Sequence, residues 1–553
     1  MKIKIAVIAA LLLCGIIACD TQKKGSPATK NNTQLEYLKA TTDSQSKPAP
    51  PPQEQEQSKY AESEIKADSE VKKGILDEGK FNTEDYDNIV EHKFLASTQN
   101  PLSTFSIDVD EAAYSNVRRY LQNGSTPPSG AVRIEEMINY FDYIYPKPQN
   151  GDPFTVNTEM SECPWNPQHK LVHIGLQGKE IPVDNLPPSN MVFLVDVSGS
   201  MDEPNKLPLV QASMNMLVDQ LREKDKVAIV VYAGSAGLVL PSTSGANKIK
   251  IKEAIDNLEA GGSTAGGEGI MLAYKTAREN FINKGNNRII LATDGDFNIG
   301  ISSDDELVRL IEKERKSGVF LSVLGYGMGN YKDNKMQQLA DKGNGNHSYI
   351  DNINEARKVL VNEFGSTLFT IAKDVKIQIE FNPAKVQAYR LIGYENRMLA
   401  AEDFNDDTKD AGELGSGHTV TALYEVIPVG VKDEFTKSVD LLKYQNNDRK
   451  ILNNSGEVMT IKLRYKKPDE DISKLITHQV LDESVAVSNT SDNFRFSAAV
   501  AEFGMLLRNS EFKQQGSYNQ VINLAKSAKG TDEEGYRAEF IRLVQTATSF
   551  AKK

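Results

Sequence analysis

The stretch Asn190-Met-Val-Phe-Leu-Val-Asp-Val-Ser-Gly-Ser-Met201 decides the fold. Its first half, Met191 to Val195, is an unbroken apolar run, as expected of a strand covered on both faces in a parallel sheet. Its second half turns polar at once, with Asp196, Ser198 and Ser200 in the pattern Asp-x-Ser-x-Ser. Further along, strand and helix patterns alternate, the signature of a parallel sheet with crossover helices. Strands are expected at Met191–Val197, Val227–Tyr232, Arg288–Thr293, Val319–Gly325 and Ser348–Ile350. Helices are expected at Leu209–Arg222, Lys248–Leu258, Gly267–Asn283, Asp304–Lys316 and Ile353–Phe364. The reading is a multidomain chain whose centre, residues 187–370, is a doubly wound, Rossmann-like α/β domain.

In open α/β sheets ligands bind at the carboxyl ends of the strands, which is where Asp196, Ser198 and Ser200 fall. Two other loops would meet them there: Gly261-Gly-Ser-Thr264, and Thr293-Asp294-Gly295 at the end of a later strand. Together they offer the hydroxyls of Ser198, Ser200 and Thr264 and the carboxylates of Asp196 and Asp294, with no histidine or thiolate nearby in sequence. Hard oxygen donors of this kind suit Mg²⁺ or Mn²⁺, with Ca²⁺ also admitted and zinc disfavoured. Two carboxylates leave a bound dication without surplus negative charge, so an acidic group on a partner could complete its coordination.

Residues 190–370 resemble a von Willebrand factor type A (VWA) domain, and the three segments match its metal-ion-dependent adhesion site. That resemblance implies that Ser198 and Ser200 bind the metal directly, Thr264 directly or through water, and Asp196 and Asp294 directly or through water depending on state. The segments Phe105–Tyr145, Pro164-Trp165-Asn166 and Gly530–Val544 resemble a family of bacterial VWA lipoproteins with characteristic flanking regions of unknown function.

The flanks have their own patterns. Lys2 and Lys4 precede an apolar run, Ile5–Ala18, that fits a secretory signal (residues 1–18) and is too short to span a bilayer comfortably. It closes on Ile16-Ile17-Ala18-Cys19, which resembles a lipobox and makes Cys19 the acylated first residue of the mature chain. Residues 19–75, polar and with Pro48, Pro50, Pro51 and Pro52, read as a disordered tether. Residues 90–150 read as an α+β region, with a strand at Phe105–Asp110 and helices at Glu111–Gln122 and about Ala131–Tyr143. Residues 151–186 carry strands, Phe154–Leu176, expected to join those of a β-rich region, 371–485, in one β-sandwich-like unit around the inserted α/β domain. Strands there are expected at Val375–Phe381, Val386–Leu391, Thr419–Ile427 and Met459–Tyr465. Residues 490–553 read as helical, with helix starts at Ser517 and Thr531 by capping-box spacing.

Several chemistries are disfavoured. The net charge of −12 over 553 residues argues against nucleic acid. Gly325-Tyr-Gly-Met-Gly329 has its third glycine too early for a dinucleotide fingerprint, and there is no phosphate-loop string, so no nucleotide is expected. The six histidines lack metal spacing, Cys163 reads as a small core residue, and Ser198 has no nucleophile elbow or placed base, so no catalytic residue is assigned. Asp403, Asn405 and Asp407 imitate the start of an EF-hand loop that Thr408 and Leu414 then fail to continue. Asp108 and Asp110, on one face of a short strand, could bind a cation but read first as an exposed strand end. The resulting expectation is a non-enzymatic adhesion protein, lipid-anchored in the bacterial cell envelope at a periplasmic or outer surface, that binds an acidic group on a protein or surface ligand through a divalent cation, Mg²⁺ first. The alternatives are an envelope assembly or stress-related scaffold and, less favoured, a metal-dependent hydrolase.

Overall fold

The computed structural model describes residues 83–149, 151–263, 266–295, 304–363, 369–409, 411–436, 455–468 and 470–551. The expected signal segment 1–18, Cys19, the tether 19–75 and Thr264 lie outside them. Along the chain come β1 (Leu95–Ala96), β2 (Leu102–Ser106), α1 (Ala112–Gln122) and α2 (Ile134–Asn139), then two long strands, β3 (Phe154–Cys163) and β4 (Asn166–Gly178). The helix expected over 131–143 is shorter, because a 3-10 turn at Ser129–Ala131 precedes it and Arg133 has extended backbone, φ −86 and ψ 109.

The central domain follows: β5 (Ser189–Asp196), α3 (Leu207–Gln220), β6 (Lys226–Tyr232), β7 (Ala236–Ser244), α4 (Lys248–Asp256), α5 (Gly266–Glu279), β8 (Asn286–Thr293), α6 (Asp304–Arg315), β9 (Val319–Tyr326), α7 (Asp333–Lys342), β10 (His347–Ile350) and α8 (Ile353–Arg357). Its sheet runs β10-β9-β8-β5-β6-β7. The sheet is mixed rather than wholly parallel, since β7 pairs with β6 antiparallel at the edge. Every residue of β5 is buried. Met191, Phe193 and Val195 face one core with α3 and α4, while Val192 and Leu194 face the other with α5 and α7. Successive strands add first on one side of β5 (β6) and then on the other (β8), so the strand order reverses beside β5 and opens a crevice at its carboxyl end.

The chain then forms β11 (Thr370–Phe381), β12 (Val386–Ile392), β13 (Gly412–Gly415), β14 (Thr419–Pro428), β15 (Glu457–Lys466) and β16 (Lys474–Leu481). One sheet is β1-β12-β14-β4-β3; the other is β13-β11-β15-β16, with β2 also on β11. β4, before the α/β domain, pairs antiparallel with β14 after it, from Lys170 against Val426 to Gln177 against Thr419. Val172, Ile174 and Leu176 of β4 share one core with Ile377 and Ile379 of β11 and Ile461 and Leu463 of β15. The two ends of the inserted domain are stitched together, Gly178 N–H donating to His418 O at 2.8 Å and Gly417 N–H to Lys179 O at 3.1 Å.

Three helices close the chain: α9 (Asp492–Arg508), α10 (Tyr518–Ser527) and α11 (Tyr536–Ala551). Ser517 caps α10, its hydroxyl accepting from Gln520 N–H. Thr531 caps nothing. The third helix starts later, where the Asp532 carboxylate accepts from Arg537 and Ala538 N–H at 2.9 and 2.8 Å. α9 packs so closely on α2 that a side chain at Gly504 would meet Ile134 at 2.7 Å. Phe141, Phe496 and Phe540 join these regions in one aromatic core with Trp165. Arg118 of α1, 2% exposed, ties all three regions, bonding Asp351 and Glu355 of the α/β domain, the latter at 2.6 Å, and Glu539 of α11 at 3.0 Å. No described helix is long and apolar enough to cross a membrane.

Candidate functional site

The crevice at the carboxyl end of β5 is built from three loops. Asp196 ends the strand, fully buried, and its two oxygens order the site: Oδ1 accepts from Ser198 N–H at 2.9 Å, and Oδ2 accepts from the Tyr232 hydroxyl at 3.0 Å and the Thr293 hydroxyl at 3.2 Å. Burial pushes its carboxyl up to about 6, against the hydrogen bonds from Ser198, and the nearby Asp294 adds to the rise. This loop turns into a 3-10 helix at Gly199–Asp202, which brings the Ser198 and Ser200 hydroxyl oxygens to 3.0 Å from each other. The second loop is pinned to the first, Gly261 N–H donating to Val197 O at 2.7 Å and Gly199 N–H to Gly262 O at 3.0 Å. Gly262, at φ +81, makes the turn that leads to Thr264.

The third loop leaves β8. Asp294 is fully buried, and Gly295 follows at φ +90, where a side chain would meet Lys332 N at 2.8 Å. Asp294 Oδ2 accepts from Lys206 Nζ at 2.9 Å and from Asn330 Nδ2 at 3.3 Å. Lys206 also donates to Ser200 O at 2.9 Å. Its stem lies on Gly327, where a side chain would come within 2.5 Å of Lys206 Cε. Within Gly325-Tyr-Gly-Met-Gly329, Gly327 therefore makes room for the lysine, while Gly325 makes room for the Tyr331 ring. Tyr232, Lys206 and Asn330 join the site without any sequence pattern to mark them. Lys206 follows Ser200 on the next turn of chain, and only the packing against Gly327 reveals where its ammonium goes.

The donor set fits a small divalent cation. Two ligands at right angles on an octahedral Mg²⁺, with bonds of 2.0–2.1 Å, stand about 2.9 Å apart, close to the Ser198–Ser200 spacing of 3.0 Å. Asp196 already accepts three hydrogen bonds and so positions the hydroxyls more than it offers lone pairs. Among the described residues no group of three or more His, Cys, Asp or Glu is arranged to hold a metal. Among the described residues the site is thus one of hydroxyls with the two carboxylates Asp196 and Asp294.

Other candidates fall away. Asp108 and Asp110 are not an exposed strand end: Asp110 is 1% exposed, and both are held by Arg397 at 2.9 Å. Asp403 caps a 3-10 turn, accepting from Ala400 N–H at 3.1 Å. Cys163 is a free, buried thiol that burial raises well above its usual range.

Comparison with known proteins adds the family context. Residues 190–362 match the von Willebrand factor type A domain, residues 80–173 match the family described as von Willebrand factor, and residues 366–550 match the family described as Uncharacterized protein YfbK, C-terminal. The Escherichia coli (strain K12) protein described as Uncharacterized protein YfbK is 46% identical over 457 residues, covering 81% of this chain and 78% of its own length. Among solved structures, a von Willebrand factor type A protein from Catenulispora acidiphila is 14% identical and covers 69% of this chain and 88% of its own, with a TM-score of 0.37. Proximal thread matrix protein 1 from the mussel byssus, solved with a zinc-occupied MIDAS motif, is 24% identical and covers 34% of this chain and 46% of its own, with a TM-score of 0.27.

Proposed function

Because the chain belongs to the YfbK family of VWA-domain proteins, we propose that it is a non-enzymatic binding protein that engages an acidic group on a partner protein or surface ligand through a divalent cation at the β5 crevice. The observation that carries this reading is the pair of serine hydroxyls 3.0 Å apart, held over a buried, multiply hydrogen-bonded Asp196. Ser198, Ser200, Thr264, Asp196 and Asp294 would hold the ion, which when bound supplies a Lewis-acidic position for a carboxylate. The chain's own residues do the arranging. Tyr232 and Thr293 fix the Asp196 carboxylate, Asp196 fixes the turn that presents Ser198, and Lys206 with Asn330 fixes Asp294. Ser200 is exposed, so a ligand can reach it from solvent. Ser198 faces a second hydroxyl rather than an imidazole, which supports binding over acyl transfer.

The proposal extends to place. A lipidated Cys19 would hold the protein in the bacterial cell envelope, with 19–75 as the tether. Cys19→Ala should move it from the membrane fraction to the soluble one, and unchanged retention would count against the anchor.

The test of the site is calorimetric titration of the chain lacking residues 1–18 with MgCl₂ and with MnCl₂, beside Ser200→Ala. Ser200 is exposed and supports little packing, so Ser200→Ala should fold as before and bind either ion at least about tenfold more weakly. If the unaltered chain takes up neither ion, or Ser200→Ala binds as well, the cation-dependent mechanism is wrong.

A further inference from the structure

At the other end of the same sheet lies a cavity of about 300 Å³, closed over by the N-terminal region, the start of β10 and the β11–β14 segment. Arg288 lines it, near the start of β8. Asp294 comes six residues later, roughly 20 Å away at ~3.3 Å per residue, so this is not the crevice described above.

Arg288 is unlike the other buried arginines. Arg118 bonds three carboxylates, Arg397 bonds Asp108, Asp110 and Asp341, Arg133 bonds Glu136 and Asp333, and Arg390 bonds Glu425. Arg288 is 2% exposed and sits between β5 and β9, in register with Met191 and Phe320. Its Nη1 donates to the Ser322 hydroxyl at 2.7 Å, its guanidinium lies 5.6 Å from the Phe320 ring centre, and its Nε has no hydrogen-bond partner. Among the described residues no carboxylate forms an ion pair with it. Burial pushes its guanidinium down to about 10, with Glu413 pulling it back up, so it stays charged at neutral pH. A buried cation that makes no ion-pair contact and is helped only at longer range by Glu413 is a cost that a fold retains only for a reason.

At the far end carboxyl groups crowd together: burial and their neighbours' charge raise Asp110 well above its usual range and Asp341 to about 7, a crowding that an incoming cation would relieve. Asp108, Asp110 and Asp341 share the single Arg397, and Asp341 Oδ1 has no hydrogen-bond partner. His347 begins β10 beside this acidic group, fully buried, with its Nε2 2.5 Å from the Tyr331 hydroxyl and its Nδ1 unpartnered. The cavity therefore holds unpartnered polar atoms of both signs, all on buried or half-buried side chains of its wall. The acidic group reaches β10, where His347 N–H donates to Asp110 Oδ1 at 2.8 Å, and one strand lies between β10 and β8, so the backbones that carry the two ends stand on the order of 10 Å apart at ~4.8 Å per strand.

We propose that this cavity is a binding site for a small zwitterion of short-peptide length, its carboxylate on Arg288 and its ammonium toward Asp341. A carboxylate matches the planar fork of an arginine. Glu413 and the Asp108–Asp110–Asp341 group make a dianion such as phosphate the poorer occupant. The charge separation excludes a single α-amino acid, whose charged groups sit too close to reach both ends.

The test uses the chain lacking residues 1–18, with triglycine, acetate and inorganic phosphate as probes, read by calorimetry and by thermal unfolding. Triglycine should bind and raise the unfolding temperature, acetate should bind more weakly, and phosphate weakest. Arg288→Met should lose at least tenfold in triglycine affinity and Arg288→Lys should recover part of it. Asp341→Asn should weaken triglycine but leave acetate unchanged. Without any probe, Arg288→Met should unfold no earlier than the unaltered chain, because it removes an unpaired buried charge. The proposal is overturned if triglycine does not bind, if phosphate binds best, if Arg288→Met binds triglycine equally, or if Arg288→Met alone is strongly destabilised, which would make Arg288 a structural residue.

Discussion

The carboxyl edge of the VWA sheet and the junction where the domain meets its flanks use the same side chains to opposite ends. At the junction, Arg118 and Arg133 sit on or beside helices, and each is matched by two or more carboxylates. At the edge, Asp196 and Asp294 sit where strands give way to loops, and among the described residues they face the Lys206 ammonium together with hydroxyls. Charge is saturated where it holds the fold and left in excess where a ligand can enter. Removing one member of a saturated set strands its partners, so the largest effect should come from Arg118→Met. It leaves Asp351 and Glu355 buried without a counter-ion and should cost about 3–5 kcal/mol in urea unfolding. A loss under ~1 kcal/mol would break the comparison, since exposed pairs cost that little.

Asp196 lies between the two regimes. Asp196→Ala should abolish cation uptake and also unsettle the fold, because the Ser198 N–H and the Tyr232 and Thr293 hydroxyls lose their acceptor together. The expected cost is ~1–3 kcal/mol, smaller than for Arg118 because these donors are neutral. Melting of this variant beside Ser200→Ala sharpens the contrast: both should bind the ion more weakly, and only the first should melt early.

What the sequence made legible is the half of each region that rests on local pattern. The run Met191–Val195 announces a doubly covered strand, and Asp196, Ser198, Ser200 and Asp294 follow from the strand ends on which they stand. β7 escaped because Ala236–Ser244 carries Pro241 and leaves Leu238 and Val239 exposed, so it lacks the alternation of a half-buried strand. The junction was illegible for a different reason. Arg118 finds Asp351 and Glu539 across long stretches of chain, and an arginine inside a helix reads as a surface residue until three elements close over it. Lys206 was hidden in the same way, since only the positive φ of Gly327 and the missing side chain there let its stem lie flat.

The junction should also show in acid. Burial alone would raise the Glu84 carboxyl, but hydrogen bonds and charge from Arg119, with the Gly329 N–H and the Tyr120 hydroxyl, outweigh it and hold the group at about 2. A carboxyl depressed in the folded state adds stability above its ordinary value of about 4.5, and that contribution is lost as the pH falls toward 2. Glu84→Gln should therefore be less stable than the unaltered chain at pH 6, and the gap should narrow by pH 3. A constant gap would mean that Glu84 acts by packing and not by charge.

The smallest effect on the fold, and the most direct reading of the edge, should come from Lys206→Met. Among the described residues, Asp196 and Asp294 ionised and Lys206 protonated sum to one negative charge; without the lysine they sum to two. Affinity of an oxygen-donor site for a dication rises with ligand charge, so Mg²⁺ should bind the variant about tenfold more tightly. The same change removes a donor from the buried Asp294, leaving Asn330 at 3.3 Å among its donors, so in chelator the variant should melt slightly early. Added Mg²⁺ should reverse that loss, because an ion bound only by the folded chain stabilises it by mass action. Melting curves of both chains in chelator and in Mg²⁺ separate the two possible roles of the lysine. If Lys206→Met melts early and Mg²⁺ restores nothing, the lysine is structural, and the edge belongs with the saturated junction. If the ion restores it, Lys206 competes for the charge that a cation would neutralise.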